Sequence, residues 1–385
     1  MNISKKLSAS LLAGVLALGS LTVPPGSAAI AATAKPGAKC TKVNASTKVG
    51  GKTLICKASG KKLVWTVKAV AKPVTPKPPV VSAPKDSATA ADAWSASGWA
   101  KPASISAVVA DATAAFDAYT ASIRNAGAKV TAVVESGANS QLVDWVAKGS
   151  DFVAKRFELA PGMATADYYD VIAVTKTWLV ETFTKLYDSG MANVQAGAFD
   201  SGNPAWGGRT SNTWASSTID RNNMMVNDRA GMAQTAGHEY FHSIQENFAN
   251  SMGTNCGPCG TPQWFWEGPA MFVGLQTAGK LGFINYAADG RPVMVRRATE
   301  GNTAHLLLSE VSVNTPPSID PYGIGMIATE FLVSKVGMTR FVDIYRQIGT
   351  GKSFKDAFVA ATGVPLNDFY LMFEDARAAL GVPRN

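Results

Sequence analysis

Residues 236–242 read Ala-Gly-His-Glu-Tyr-Phe-His and hold two of the three histidines in a chain of 385 residues. The pattern constrains the backbone before anything else does. On an α-helix, positions four apart stack on one face, so the imidazoles of His238 and His242 can share one cation. Glu239, rotated by about 100° around the axis, then points at the open side of that cation. His-Glu-x-x-His also arises by chance, so the rest of the chain has to supply its context.

Length leaves room for two or three domains. The chain opens with Lys5 and Lys6, an apolar run from Leu11 to Val23, and small residues at Ser27-Ala28-Ala29 and Ala32-Thr33-Ala34. That order predicts a signal peptide over 1–34, and hence a secreted or cell-surface protein. The run is short for a bilayer span, and no later segment reads as transmembrane. The net charge of +8 hides a division, because residues 35–85 carry twelve lysines and no acid. Removing those and the two leader lysines leaves −6 over residues 86–385. A basic arm of this kind suits an anionic cell-wall polymer or membrane surface, or stays solvated; nucleic acid is not implied.

Four cysteines in an oxidising compartment predict two local disulfides, Cys40 with Cys56 and Cys256 with Cys259. The stretch 35–70, with its β-branched residues and a Gly50-Gly51 turn, reads as a small β-hairpin module stapled by the first pair. It resembles small Cys-pair modules of bacterial exported proteins that end in Leu-Val-Trp, here Leu63-Val64-Trp65. Residues 71–85 are proline-rich and lysine-studded, which predicts an extended spacer.

From residue 86 to 385 the periodicity alternates between helix and strand, giving an α+β domain. Helices are predicted over 103–125, 141–157 and 177–186, and strands over 129–135, 170–174 and 217–227. Residues 193–216, rich in Gly, Ser, Asn and Trp, read as an irregular loop. Beyond Pro316 the pattern is helical over 321–336, 339–348, 353–361 and 366–380, with Gly337, Gly349, Gly363 and Gly381 at the ends. Ser353 and Asp356 have the spacing of a capping box.

Two histidines leave a catalytic metal short of a ligand, since such sites take three protein groups and keep a fourth position open. Trp264-Phe265-Trp266-Glu267-Gly268-Pro269-Ala270 supplies a candidate, Glu267, at the start of a second helix with Pro269 suited to its first turn. A carboxylate among aromatic rings is costly to bury alone, and a cation removes that cost; the other role for Glu267 is to cap its helix. Gly-His-Glu-Tyr-Phe-His-Ser-Ile-Gln together with Trp-Glu-Gly-x-Ala resembles the gluzincin metallopeptidases, with 24 residues between His242 and Glu267. The likeness covers roughly residues 165–380, and the motif is also similar to that of bacterial collagenases.

That resemblance implies a zincin-like domain in which a mixed sheet and an active-site helix precede a helical C-terminal subdomain. It implies Zn2+ on His238, His242 and Glu267, with Glu239 as general base toward a peptide or protein substrate. It also implies an oxyanion donor after the third ligand, for which Tyr322 and His305 are the candidates and Tyr322 the better placed. Trp266 and Met271 stand where better-known branches have other residues, so the group that orients the histidines is unassigned; Asp220 is one acid among several.

Cys256-Gly257-Pro258-Cys259 spells a redox motif, yet it falls in a Gly- and Asn-rich loop and not after a strand, which favours a local disulfide. Trp264 and Trp266 are candidates for a cleft lining or for core. The substrate chain is expected to lie along an edge strand near Thr218 to Asn227. Two rival readings are a surface-binding protein with a non-catalytic metal site and a zinc hydrolase acting on a non-peptide amide or ester.

Overall fold

The computed structural model describes residues 35–49, 52–60, 62–67, 85–125, 127–163, 166–200, 205–215, 229–250, 260–316 and 318–384. The expected signal peptide, the Gly50-Gly51 turn, most of the proline-rich spacer, the strand over 217–227 with Asp220, and the Cys256–Cys259 pair lie outside those residues. The chain divides into two compact units, Met1–Val81 and Ser82–Asn385. Among the described residues it is a mixed α/β protein with two sheets.

The first unit is a three-stranded antiparallel sheet of β1 (Ser46–Val49), β2 (Lys52–Ser59) and β3 (Lys62–Val67), in which Cys56 pairs with Trp65 across the ladder. Among the described residues its buried core is Leu54, Cys56 and Trp65, and the expected Cys40–Cys56 disulfide closes over it.

The second unit opens with α1 (Ala90–Ser97) and α2 (Ile105–Ser122). A four-stranded sheet follows, built from β4 (Val130–Val134), β5 (Tyr168–Ala173), β6 (Ala205–Gly207) and β7 (Ser211–Ala215) in the order β4-β5-β7-β6. The first three strands in that order run parallel, and β6 closes the edge antiparallel to β7. Helix α3 (Ser140–Arg156) links β4 to β5, while α4 (Lys176–Leu186) and α5 (Ser189–Asp200) follow β5.

The stretch 193–216 is therefore not an irregular loop: it carries most of α5 and two strands. Polar side chains misled the reading, because β7 is Ser-Asn-Thr-Trp-Ala yet buried at every position. Its polar groups find distant partners that local composition cannot show. Thr213 donates to Gln195 Oε1 at 2.9 Å, Asn212 Nδ2 to Asp170 Oδ1 at 3.1 Å, and Tyr168 Oη to Asn212 Oδ1 at 2.6 Å. Buried polar groups persist in a core only when paired in this way.

The helical layer comprises α6 (Arg229–Ala249), α7 (Gln263–Lys280), α8 (Arg291–Thr299), α9 (Pro321–Gly349), α10 (Phe354–Thr362) and α11 (Leu366–Ala376). Helix α9 merges the two helices expected over 321–348; they meet at Gly337, whose φ of 74° breaks the helical path. The last helix ends at Ala376 rather than Leu380. Helix α6 packs against α3 and α7, and α9 against α7. Where α9 crosses α7 the backbones nearly touch, since a Cβ on Gly268 would lie 2.2 Å from the Gly325 carbonyl carbon. Only glycine permits that approach. A core of large aromatics, among them Trp264, Phe265, Phe272, Phe331, Phe341 and Tyr345, fills the space between these helices. Among the described residues no helix is long and apolar enough to cross a membrane.

Candidate metal centre

His238 and His242 sit one turn apart on α6, buried to 5% and 8% exposure, and Glu267 reaches them from α7. Nε2 of His238 and Nε2 of His242 are 3.0 Å apart, and Glu267 Oε2 lies 3.3 Å from each. Tetrahedral ligands at the usual zinc bond lengths of about 2.0–2.1 Å are separated by about 3.3 Å, so the three atoms form one face of such a tetrahedron. Among the described residues these three make the one group of His, Cys and acidic side chains close enough to hold an ion.

The electrostatics ask for a cation in the same place. Burial opposes a charge on His242, yet the Glu267 carboxylate, with Glu239 behind it, lifts its pKa to about 9. Burial likewise opposes the charge on Glu267, yet the His242 and His238 imidazoles hold its carboxyl well below the usual carboxylate range. Glu267 Oε2 is nonetheless buried without a hydrogen bond of good geometry, only two nitrogens at 3.3 Å. A buried acceptor left in that state is costly unless a positive charge joins the three atoms. Two imidazoles and a carboxylate are the donor set that zinc takes in open sites.

Glu239 follows His238 on α6 and is 8% exposed. It lies against β6: a Cβ on Gly207 would come within 2.6 Å of the Glu239 carbonyl oxygen and 2.9 Å of its Oε2. Among the described residues the edge strand beside the site is Ala205–Gly207, and glycine at its end lets the strand reach the carboxylate. Tyr322, at the start of α9, stands with its ring centroid 5.9 Å from that of His238. Its backbone N–H caps on Asp320 at 2.9 Å, and Arg297 grips Asp320 through Nε at 2.6 Å and Nη2 at 3.0 Å while covering the Tyr322 ring. Burial, and then the charges of Glu267 and Glu239, push the Tyr322 hydroxyl well above the usual tyrosine range, so it stays a proton donor. His305 ends a short 3-10 turn, is exposed, and is outside the ligand group.

Trp266 stacks on His242 with ring centroids 5.5 Å apart and an interplanar angle of 13°, whereas Trp264 is wholly buried in the aromatic core. Pro269 is not in the first turn of α7 but in its second, inside the helix. The sequence assigned no role to Gly207, to Arg297 with Asp320, or to Gln245, whose Oε1 lies 2.7 Å from His242 Nδ1. Of these only Gln245 carried a usable signal, since it follows His242 by three residues and so shares its helical face.

No family model matches this chain, and no curated protein does. A solved structure similar to it is that of a point mutant of an M1 zinc metallopeptidase from Deinococcus radiodurans, at 11% identity and a TM-score of 0.30. The overlap covers 66% of this chain and 49% of that one, so this chain spans about half of its length. A likeness at that level fixes neither fold nor activity. The case for a metal centre lies in the side chains of His238, His242 and Glu267 themselves.

Proposed function

We propose that this chain is an exported zinc-dependent peptidase of gluzincin type, with a zincin-like catalytic domain over residues 86–385. The observation that carries the reading is the triangle of His238 Nε2, His242 Nε2 and Glu267 Oε2, whose sides of 3.0–3.3 Å match one face of a tetrahedral zinc site. Zinc held there would lower the pKa of a bound water to about 7 and polarise a substrate carbonyl.

The chain's own residues supply the rest. Glu239 accepts the proton of the attacking water and delivers it to the leaving amine, a general-base and general-acid role worth about 10²–10⁴ in rate. Tyr322, held by its capped helix start and by Arg297, donates to the oxyanion as it develops. Among the described residues the outer edge of β6 carries no strand, so an extended peptide can pair with it backbone to backbone beside Glu239. The lysine-rich unit would hold the enzyme near an anionic surface.

The test is hydrolysis of a mixed peptide library by the zinc-loaded chain. Glu239→Gln is expected to keep its zinc and lose at least about a hundredfold in kcat. A variant that keeps zinc and cleaves at the wild-type rate removes Glu239 from the mechanism. Cleavage of esters or other amides with no action on peptides moves the site to another substrate class.

A further inference from the structure

We propose that Gln245 is the positioning residue of the metal centre: it fixes the tautomer and aim of His242, and it is itself fixed by a carbonyl that Pro269 leaves free. The proposal rests on the metal-site reading and extends it to residues outside the ligand set.

Pro269 starts the chain of bonds. A proline inside a helix has no N–H to give to the carbonyl four residues earlier, here Phe265. In α7 that carbonyl accepts instead from the Tyr345 hydroxyl of α9 at 3.0 Å. Tyr345 is wholly buried, and having given its proton to Phe265 it can only accept from the next group. Gln245 Nε2 supplies that bond at 2.8 Å, and the second Nε2 hydrogen goes to the Trp266 carbonyl at 2.9 Å. Gln245 is wholly buried, and two oxygen acceptors on one side of its amide settle which end is nitrogen.

The amide oxygen therefore faces His242 Nδ1 at 2.7 Å. An amide oxygen can only accept, so Nδ1 carries a hydrogen, and Nε2, the atom in the ligand triangle, is the nitrogen left to bind the metal. His238 has no such support: its Nδ1 is buried without a hydrogen-bond partner among the described residues. The same side chain that aims His242 also holds the backbone of Trp266, next to Glu267, so one amide registers ligands on two helices. An acid commonly fills this place in zinc sites; here a neutral amide does.

The experiment compares zinc affinity, by competition with a chromogenic chelator, in wild type, Gln245→Met and Gln245→Glu, with the unfolding midpoint of each metal-free protein alongside. Both variants lose the two bonds that Nε2 donates, to the Trp266 carbonyl and to the Tyr345 hydroxyl, but glutamate keeps an acceptor for Nδ1–H and methionine does not. Gln245→Met is expected to bind zinc about 10- to 100-fold more weakly, and Gln245→Glu to stay within about threefold of wild type. A Gln245→Met variant that binds as tightly as wild type, or equal losses in both variants, overturns the proposal. The ¹⁵N shifts of the histidines in the zinc-loaded wild type decide the same point without any variant. Nδ1 of His242 protonated and Nε2 metal-bound is the expected pattern, and the reverse overturns it. A wild-type chain that takes up no zinc brings down the metal-site reading and this proposal together, whereas zinc uptake with unaltered variants brings down this proposal alone.

Discussion

The two units of this chain solve opposite problems of burial. Among its described residues the small sheet buries Leu54, Cys56 and Trp65, and one of them is half of a disulfide. The large unit has apolar volume enough to surround charge. It buries Asp170, Arg291, Glu330 and the two metal-site histidines, each beside a partner or an opposite charge. Below some core size a covalent link replaces apolar burial; above it, the core can hold charged groups in the fixed positions that chemistry requires.

The contrast is exposed most strongly by a pH dependence confined to the large unit. Burial raises the Asp170 carboxyl to about 7, against smaller opposing contributions from its hydrogen bonds with Ser150 and Asn212. Between about pH 4 and 7 the native state thus binds the proton that the unfolded chain has released, and stability falls as pH rises through that window. The full loss is at most about 4 kcal/mol. Asp170→Asn keeps an acceptor for Asn212 and removes the titration. The difference in unfolding midpoint between variant and wild type is therefore expected to grow in the variant's favour from pH 4 to 7 and level off above it.

A smaller effect belongs to the other unit. Cys56→Ser opens a loop of 16 residues, a change of about 3 kcal/mol and as much as so small a core supplies. Trypsin should then cut the lysine-rich segment 35–67 rapidly while residues 86–385 keep their resistance and their zinc. Loss of zinc in that variant would undo the separation of the units. Smaller again is stabilisation by the metal, about 2.7 kcal/mol with free zinc at a hundred times its Kd. It should raise the unfolding midpoint of the large unit and leave tryptic cleavage of 35–67 unchanged.

What the sequence revealed came from local regularity. His238, Glu239 and His242 share a helical face by spacing alone, and Glu267 stood out as an acid among aromatic rings. Helices α2, α3 and α4 and strands β4 and β5 lie within a few residues of their expected ranges, because apolar periodicity is written in consecutive positions. What stayed hidden depends on partners far along the chain. Strand β7 looks like a polar loop until Asp170, Tyr168 and Gln195 are seen to pair with it. Pro269 looks like a first-turn residue until Tyr345, 80 residues beyond Phe265, is seen to take the carbonyl it leaves open. Gly207 and Gly268 gave no signal, because a close approach of two backbones has no signature in either segment alone.

Peptidase chemistry, the role of Gln245 and the stabilisation by metal all require that His238, His242 and Glu267 together hold zinc. Anomalous diffraction from zinc-grown crystals, recorded on both sides of the zinc edge, puts that requirement to the test. One strong peak is expected about 2.0–2.1 Å from His238 Nε2, His242 Nε2 and a Glu267 oxygen, lost in Glu267→Ala. A peak at another place, or one that persists undiminished without the Glu267 carboxylate, would contradict it.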